Sequence, residues 1–294
     1  MADQPAYLGQ VETDSGSALD ALFPLSSDTS DSVSGGPTFS GHDQSFPTTG
    51  GPDAGGYMQL DANAYGVLDD DGVGSSSTAF TFRAWIDEPS GGPTATQVIF
   101  NFGGGSEQLT LLAAASSGGG PQFCAYNGAN TCITGSDPLA AGWHYIVATE
   151  DSTGDGAALY VDGVQVASST SDLGSPHGSD FSAGCSTGEC DVGRQTGGCC
   201  YLGENGSGIV GVAVSADYVS AYDVLQEYSA GTAATGSGGG AGTGAGVSTV
   251  DSGTDGDAGM SGFVLAEATM GVLFGMLAGW WVFRKLFSAG GWGG

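Results

Sequence analysis

Short apolar runs, separated by turn residues, are the feature that most constrains the fold of this chain. Ala79–Ile86 alternates aromatic and aliphatic residues with small or polar ones, and Trp143–Thr149 is a second such run. Alternate side chains of a strand point to opposite faces, so this pattern is typical of β-strands. The chain also has 56 glycines in 294 residues. Because glycine inside a helix costs about 1 kcal/mol relative to alanine, an all-helical bundle is excluded. The sequence predicts an all-β, antiparallel β-sandwich or jelly roll.

The clearest local signal is a hairpin. Two apolar runs, 158–161 and 164–167, meet across Asp162-Gly163, a dipeptide that tolerates the positive φ angles of a type I′ turn. Further runs of the same kind are Gln97–Phe102, Gln108–Leu112 and Gly208–Val214. A helical period is found only in a short stretch near 216–228.

Several segments, taken in order, resemble the laminin G-like modules of the concanavalin A-like class. The matching segments are 22–25, 31–32, 35–36, 55–60, 80–85, 142–148, 159–163, 201–203, 210–214 and 219–224. The resemblance implies two antiparallel sheets packed as a jelly roll. It also implies binding of glycans or proteins, which is what most members do, often with calcium. A minority of the family are glycoside hydrolases.

Composition divides the chain into regions. We expect a polar N-terminal arm at 1–17, the laminin-G-like β-sandwich at 18–231 and a Gly/Ala/Thr/Ser linker at 232–259. The linker is too poor in apolar residues to order itself, so it is predicted to be flexible. Residues 1–17 show neither the basic region nor the apolar stretch of a cleavable signal peptide.

A transmembrane helix is predicted at 260–285, followed by a short tail at 286–294. The run 262–283 is apolar apart from Glu267, and as a helix it would be about 33 Å long, enough to cross a bilayer. Trp280 and Trp281 fit an interfacial aromatic belt, and the basic pair Arg284-Lys285 follows them. This arrangement predicts an inside C-terminus, with the β-sandwich outside the membrane.

Small residues within this span indicate that it associates with copies of itself. Gly271, Gly275 and Gly279 recur every four residues, so they lie near one helix face and allow close helix packing. Glu267 is costly against lipid and would prefer a helix–helix interface. We expect a homo-oligomer, although glycine is common in this chain and the spacing can be incidental.

The charge balance is extreme. The chain has 32 acidic residues against 4 Lys and Arg, a formal net charge of −28. With so few bases the chain cannot neutralise a phosphate backbone, so nucleic acid is excluded as a partner. Strong acidity with almost no lysine fits a protein of a halophilic system, where salt screens the repulsion between like charges. The alternative is an ordinary acidic surface protein.

The cysteine pattern favours disulfides. Cys124 and Cys132 flank a hairpin-like stretch with Asn-Gly at its tip, where a cross-strand bridge is geometrically easy. Cys185, Cys190, Cys199 and Cys200 share a glycine-rich window that fits either two disulfides or a metal site of four cysteines. Adjacent cysteines chelate one zinc ion poorly, so the disulfide interpretation is favoured.

The binding residues predicted from the sequence lie in loops. Tyr126, Asn127 and Tyr201 provide the aromatic and amide groups that sugars favour. Asp69, Asp70 and Asp71 cluster the oxygen ligands that Ca²⁺ needs. In a chain with 32 acidic residues such a run also arises by chance and then only hydrates the surface. Calcium is thus a candidate cofactor.

Catalytic motifs are missing from the sequence. A glycoside hydrolase on this fold needs two or three carboxylates along one strand, typically Glu-x-Asp-x-x-Glu, and the sequence has no such run. Asp87-Glu88 precedes Pro89, which is typical of a turn, and His144 occupies a strand position where a structural role is expected. We therefore expect a protein without enzymatic activity.

Two classes of function remain open from the sequence. The first is a membrane-anchored surface protein with a lectin-like head, such as the spike or vertex attachment protein of a virion. The second is a structural virion protein that links coat proteins to an internal membrane. A cellular surface adhesin is a further alternative. A signal peptide is not visible, and assembly around a membrane inside the cell would not need one, which favours a virion.

Overall fold

Thirteen strands form the framework of the part of the chain that the computed structural model describes. The described residues are 6–30, 33, 38–52, 54–69, 78–89, 96–102, 107–114, 119–127, 129–151, 153, 156–171, 173, 191–192, 202 and 207–233. The strands are β1 (Leu19–Phe23), β2 (Thr38–Ser45), β3 (Met58–Asp69), β4 (Ala79–Glu88), β5 (Gln97–Phe102), β6 (Glu107–Ala114), β7 (Gln122–Asn127), β8 (Asn130–Thr134), β9 (Gly142–Asp151), β10 (Gly156–Val161), β11 (Val164–Ser169), β12 (Asp191–Val192) and β13 (Gly208–Ser215). Helix α1 (Ala6–Ser15) continues into a 3₁₀ turn (Gly16–Ala18), and helix α2 (Ala221–Ala233) follows β13.

The strands form one hydrogen-bonded path that packs against itself. Its order is β11-β10-β9-β4-β13-β3-β12-β5-β6-β7-β8, with β1 on β13 and β2 on β3. All of the strand pairs are antiparallel. Phe82 of β4 stacks on Phe100 of β5 with ring centroids 4.2 Å apart, so the two halves of the path face each other. The predicted antiparallel sandwich is confirmed for the described residues.

Two apolar cores lie on the two faces of β4. Phe80, Phe82, Ala84 and Ile86 belong to the first core, which fills the space between the halves of the sandwich. Trp85 on the opposite face belongs to the second core, which α1 and α2 cover with Tyr7, Leu8, Val11 and Val224. Strand β4 is therefore buried on both sides, and this differs from its alternating sequence pattern, because the polar Thr81 and Arg83 are also fully buried.

The Asp162-Gly163 turn is confirmed. Asp162 has φ 52° and Gly163 φ 78°, the two positive angles of a type I′ turn. The turn joins β10 to β11, with Val161 opposite Val164.

The N-terminal residues differ from the polar arm expected at 1–17. Ala6–Ser15 form a helix, and its Tyr7, Leu8 and Val11 are at most 1 % exposed. The ring of Tyr7 meets the rings of Trp85 and Tyr145 edge to face. A helix this short has little stability alone, so its packing against the sheet, rather than its composition, stabilises it.

A buried ion pair joins α2 to the sheet. Arg83 Nε on β4 lies 3.1 Å from Glu227 Oε1 on α2, and neither side chain is exposed. Tyr145 donates a hydrogen bond of 2.7 Å to Glu227 Oε2. The other end of Arg83 donates to Ser215 Oγ (2.7 Å) and Ser15 Oγ (2.8 Å). One guanidinium thus connects α1, β4, β13 and α2.

The proposed anchor lies outside the described residues. Among the helices that the structure does describe, neither has the length and hydropathy to cross a bilayer. The linker beyond Ala233, the span at 260–285 and the tail at 286–294 remain predictions from the sequence.

Candidate functional site

Strands β6, β7 and β8 present a polar face that points away from the first core. On β7, Phe123 and Ala125 belong to the first core, so Cys124 and Tyr126 point to the opposite side. Cross-strand partners share a face, and Thr110 is opposite Cys124 while Asn130 is opposite Tyr126. We call Thr110, Cys124, Tyr126, Asn130 and Cys132 the hairpin face.

The hairpin face is held by a disulfide. Cys124 and Cys132 are directly opposite each other on β7 and β8, with Cα atoms 4.1 Å apart, and their sulfur atoms are bonded. This confirms the bridge expected from the sequence. The bridge fixes the register of the hairpin two residues from the Tyr126–Asn130 pair.

The exposed groups of this face combine one aromatic ring with polar side chains. Tyr126 is half-buried and Asn130 is exposed. Thr110 donates a hydrogen bond of 2.9 Å to the amide oxygen of Asn101 on β5, which is fully buried. Asn101 is opposite Asp191 of β12. A tyrosine offers an apolar ring and a hydroxyl, and the amide offers donors and acceptors, which together suit a hydroxyl-rich ligand.

The sequence predicted Tyr126 as a binding residue in a loop, whereas it lies on strand β7, and its neighbours on this face were not predicted. Asn130 and Thr110 come from strands beside β7, and only strand pairing brings them together. For Asn127 the structure gives the backbone, at the end of β7, and its side chain lies outside the description. Tyr201 lies outside the described residues.

The structure does not describe the side chains of the remaining predicted sites. The structure gives only the backbone of Asp69 and not its side chain. The other predicted residues lie outside the described part of the chain: Asp70, Asp71, Cys185, Cys190, Cys199, Cys200, Glu267, Gly271, Gly275 and Gly279. Within the described part of the chain, no three His, Cys, Asp or Glu side chains are grouped to hold a metal ion.

His144 has the structural role expected from the sequence. Its Nδ1 lies 2.7 Å from Asp162 Oδ2 and its Nε2 lies 3.0 Å from the carbonyl oxygen of Ala140. Burial opposes protonation of the ring, but the hydrogen bond to Asp162 and its charge outweigh burial and raise the pKa of His144. Asp162 also accepts the backbone N–H of Tyr145 (2.9 Å), so these contacts join the β10–β11 turn to β9.

Glu88 is a buried acid that the sequence did not single out as a site. Its side chain is 1 % exposed, and burial raises its pKa to about 7. The neighbouring Asp87 precedes it on the strand and points to the opposite face, so the two carboxylates do not share a face. A substrate cannot reach a carboxylate this deeply buried, so the pair does not form an acid–base site for hydrolysis.

Known proteins share this fold. A family model described as the Concanavalin A-like lectin/glucanases superfamily matches residues 55–197. No curated protein sequence is significantly similar to the chain. Domain 4 of AbnA, a GH43 extracellular arabinanase from Geobacillus stearothermophilus, in complex with arabinotriose, is 18% identical with a TM-score of 0.54, over 71% of this chain and 98% of that one.

Toxin binding domains are also similar in structure. The botulinum neurotoxin serotype G binding domain is 15% identical with a TM-score of 0.52, over 71% of this chain and 50% of that one. The binding domain of botulinum neurotoxin DC in complex with SialylT is 9% identical with a TM-score of 0.55, over 73% and 52%. The chain thus spans about half the length of these toxin domains, and such identities show the fold alone. The family match and the shared fold together support a concanavalin A-like jelly-roll domain in this chain, as its resemblance to laminin G-like modules implied.

Proposed function

We propose that this protein is a non-enzymatic, membrane-anchored surface protein that binds glycans through the hairpin face. The observation that carries the proposal is the half-exposed ring of Tyr126 beside the exposed amide of Asn130 on a disulfide-bridged hairpin. Two proteins of the same fold were solved with carbohydrate ligands, arabinotriose in one and SialylT in the other.

The hairpin face is preorganised for binding a sugar. A sugar ring can stack its C–H groups on the tyrosine ring, while its hydroxyl groups exchange hydrogen bonds with Asn130. The disulfide and the strand pairing hold both side chains in place before binding, which lowers the entropy lost when the ligand binds.

Replacing Tyr126 with alanine tests the proposal. A glycan array probed in molar NaCl with the full chain should identify a ligand, and Y126A should weaken its binding about tenfold or more, the loss of roughly 1.4 kcal/mol expected for an aromatic contact. Tyr222 on α2 is 69% exposed and lies outside the hairpin face, so Y222A is the matched control and should bind like the parent.

Two results of this experiment contradict the proposal. If the parent binds no glycan, the lectin function is wrong and a structural role in a virion, linking coat proteins to an internal membrane, becomes the better proposal. If Y126A and Y222A bind equally well, the hairpin face is not the binding site.

The proposal also includes a C-terminal membrane anchor and a halophilic system. The apolar span at 260–285 and its flanking Arg284-Lys285 support a C-terminal anchor with the jelly roll outside, on a virion or cell surface. The net charge of −28 supports a halophilic system. We favour a spike or vertex attachment protein, in contact with other coat or envelope proteins and assembled as a homo-oligomer through Gly271, Gly275 and Gly279. A cellular adhesin is the alternative.

Flotation with lipid vesicles checks the anchor. The full chain should float with vesicles of neutral lipid, and a chain ending at residue 259 should stay at the bottom of the gradient. In detergent, Gly275→Leu should reduce self-association more than Val272→Leu, as measured by sedimentation. If the full chain and the chain ending at residue 259 float equally, the membrane anchor is wrong. If Gly275→Leu and Val272→Leu sediment alike, the glycine interface is wrong.

A further inference from the structure

Both ring nitrogens of His144 face hydrogen-bond acceptors. Nδ1 lies 2.7 Å from Asp162 Oδ2, and Nε2 lies 3.0 Å from the carbonyl oxygen of Ala140. A neutral imidazole carries one N–H, so it can donate to one of these oxygens but not to both. Only the protonated ring, which is positively charged, makes both hydrogen bonds at once.

The buried acid Glu88 is on the same face of the sheet as His144. Ile86 is opposite His144 in the β4–β9 pairing and belongs to the first core, so Glu88, two residues further along β4, shares that face. The residue opposite Glu88 is Gly142, which has no side chain, so His144 is its diagonal neighbour. Both carboxyl oxygens of Glu88 lack a hydrogen-bond partner in the described part of the chain. Burial without a partner favours the protonated, neutral carboxyl.

The charged groups that act on these two side chains come from β4, β9 and the β10–β11 turn. The pKa of Glu88 is raised by burial and by the charge of Asp87, and lowered by the charge of His144. Burial opposes protonation of His144, but the hydrogen bond and charge of Asp162, the carbonyl of Ala140 and the charge of Glu88 raise its pKa. Asp87, on the other face of β4, is in turn acted on by the charge of His144.

Glu88 and His144 both bind protons more tightly in the folded protein than in the unfolded chain. The pKa of Glu88 rises from its ordinary value of 4.5 to about 7, so its ionisation lowers the stability progressively across that range. The pKa of His144 rises above its ordinary 6.5, so the stability that the protonated ring contributes is lost at higher pH. The two groups therefore act in the same direction, and both favour the folded state at acidic pH.

We propose that Glu88, His144 and Asp162 form a pH-sensitive latch at this end of the sandwich. At acidic pH the protonated His144 ties the β10–β11 turn to Ala140, which precedes β9, and Glu88 is neutral. At alkaline pH the ring loses one of its two hydrogen bonds and Glu88 becomes a buried charge, so the turn loosens. The latch is independent of glycan binding.

Loosening of the turn also affects α2. A Cβ atom added at Gly163 of the turn would lie 3.1 Å from Leu225 Cδ1 and 3.2 Å from Tyr228 Cδ1, so the turn packs against the helix. Burial and the charge of Asp162 raise the pKa of Tyr228 above its ordinary value of 10.0, so this tyrosine stays neutral over the range in which the latch titrates.

Thermal unfolding at two pH values tests the latch. In 1 M NaCl, which screens repulsion between surface acids, the Tm of the full chain should be lower at pH 8.5 than at pH 5. Glu88→Gln imitates the protonated carboxyl and should make this fall in Tm about 5 °C smaller. The exposed Asp137 provides the control, because D137N removes the same charge and should show the fall of the parent.

An NMR titration of the unmodified full chain keeps the test decisive if E88Q folds poorly. The Cε1–H resonance of His144, assigned sequentially, should titrate with a midpoint above 6.5. Two results overturn the proposal: an E88Q variant whose Tm falls as much as that of D137N, or a midpoint for His144 at or below 6.5.

Discussion

Replacing Glu227 with alanine should lower the free energy of unfolding by about 3–5 kcal/mol. The substitution leaves the Arg83 guanidinium buried without its ion-pair partner and removes the acceptor of the Tyr145 hydroxyl. Breaking a buried pair from one side is expensive because the remaining charge stays desolvated. Urea unfolding of the full chain, followed by circular dichroism, measures the change.

Two further variants separate the ion pair from the helix. Ser229 is exposed on the same helix, so Ser229→Ala should change the stability by about 0.5 kcal/mol or less. The double variant Arg83→Met with Glu227→Leu removes both charges and should recover most of the loss, since apolar replacements of buried pairs are often neutral. An E227A variant as stable as S229A would show that the pair does not hold α2.

Replacing Gly211 with alanine should destabilise the protein by about 2–5 kcal/mol and displace α1. A Cβ atom at this position would lie 0.7 Å from the hydroxyl oxygen of Tyr7, and the backbone has φ +63°. The left-handed backbone costs about 1–2 kcal/mol for alanine, and overpacking adds about 1–3 kcal/mol. Tryptophan fluorescence should change as well, because Tyr7 contacts the ring of Trp85.

Gly16 is the matched control for the steric part of this prediction. Its φ is +50°, close to that of Gly211, but nothing lies within 4 Å of an added Cβ. Gly16→Ala should therefore be destabilised only by backbone strain, which lowers the free energy of unfolding by about 1–2 kcal/mol. If both glycine variants lose the same stability, contact with Tyr7 has no effect and α1 does not pack tightly on β13.

Local patterns in the sequence predicted the features that depend on near neighbours. The alternation in Ala79–Ile86 and the Asp162-Gly163 turn need only adjacent residues, and both are present as predicted. The Cys124–Cys132 bridge follows from the same logic, since the two cysteines are only eight positions apart, across one hairpin.

Features that depend on distant residues could not be predicted in this way. Arg83 and Glu227 form their ion pair only because α2 packs on the outer face of β4, and no spacing in the sequence indicates this. The same holds for α1. Its few apolar residues do not by themselves predict burial, because Trp85 and Tyr145, which pack with them, are distant in the sequence. At the candidate site, Tyr126 is visible from its hairpin, whereas its polar neighbour Thr110 comes from another strand.

The position of the Arg83–Glu227 pair has a mechanical consequence for a domain that is pulled from the C-terminal end of α2. A pulling force applied through the chain beyond Ala233 enters the domain at the C-terminal end of α2. Unwinding the last residues of the helix leaves Glu227 in place, so the tension then acts on a buried ion pair. Its other member is on β4, which is hydrogen-bonded to β9 on one side and β13 on the other. Tension therefore reaches a strand that is paired on both sides, rather than an edge strand that is paired on one side only.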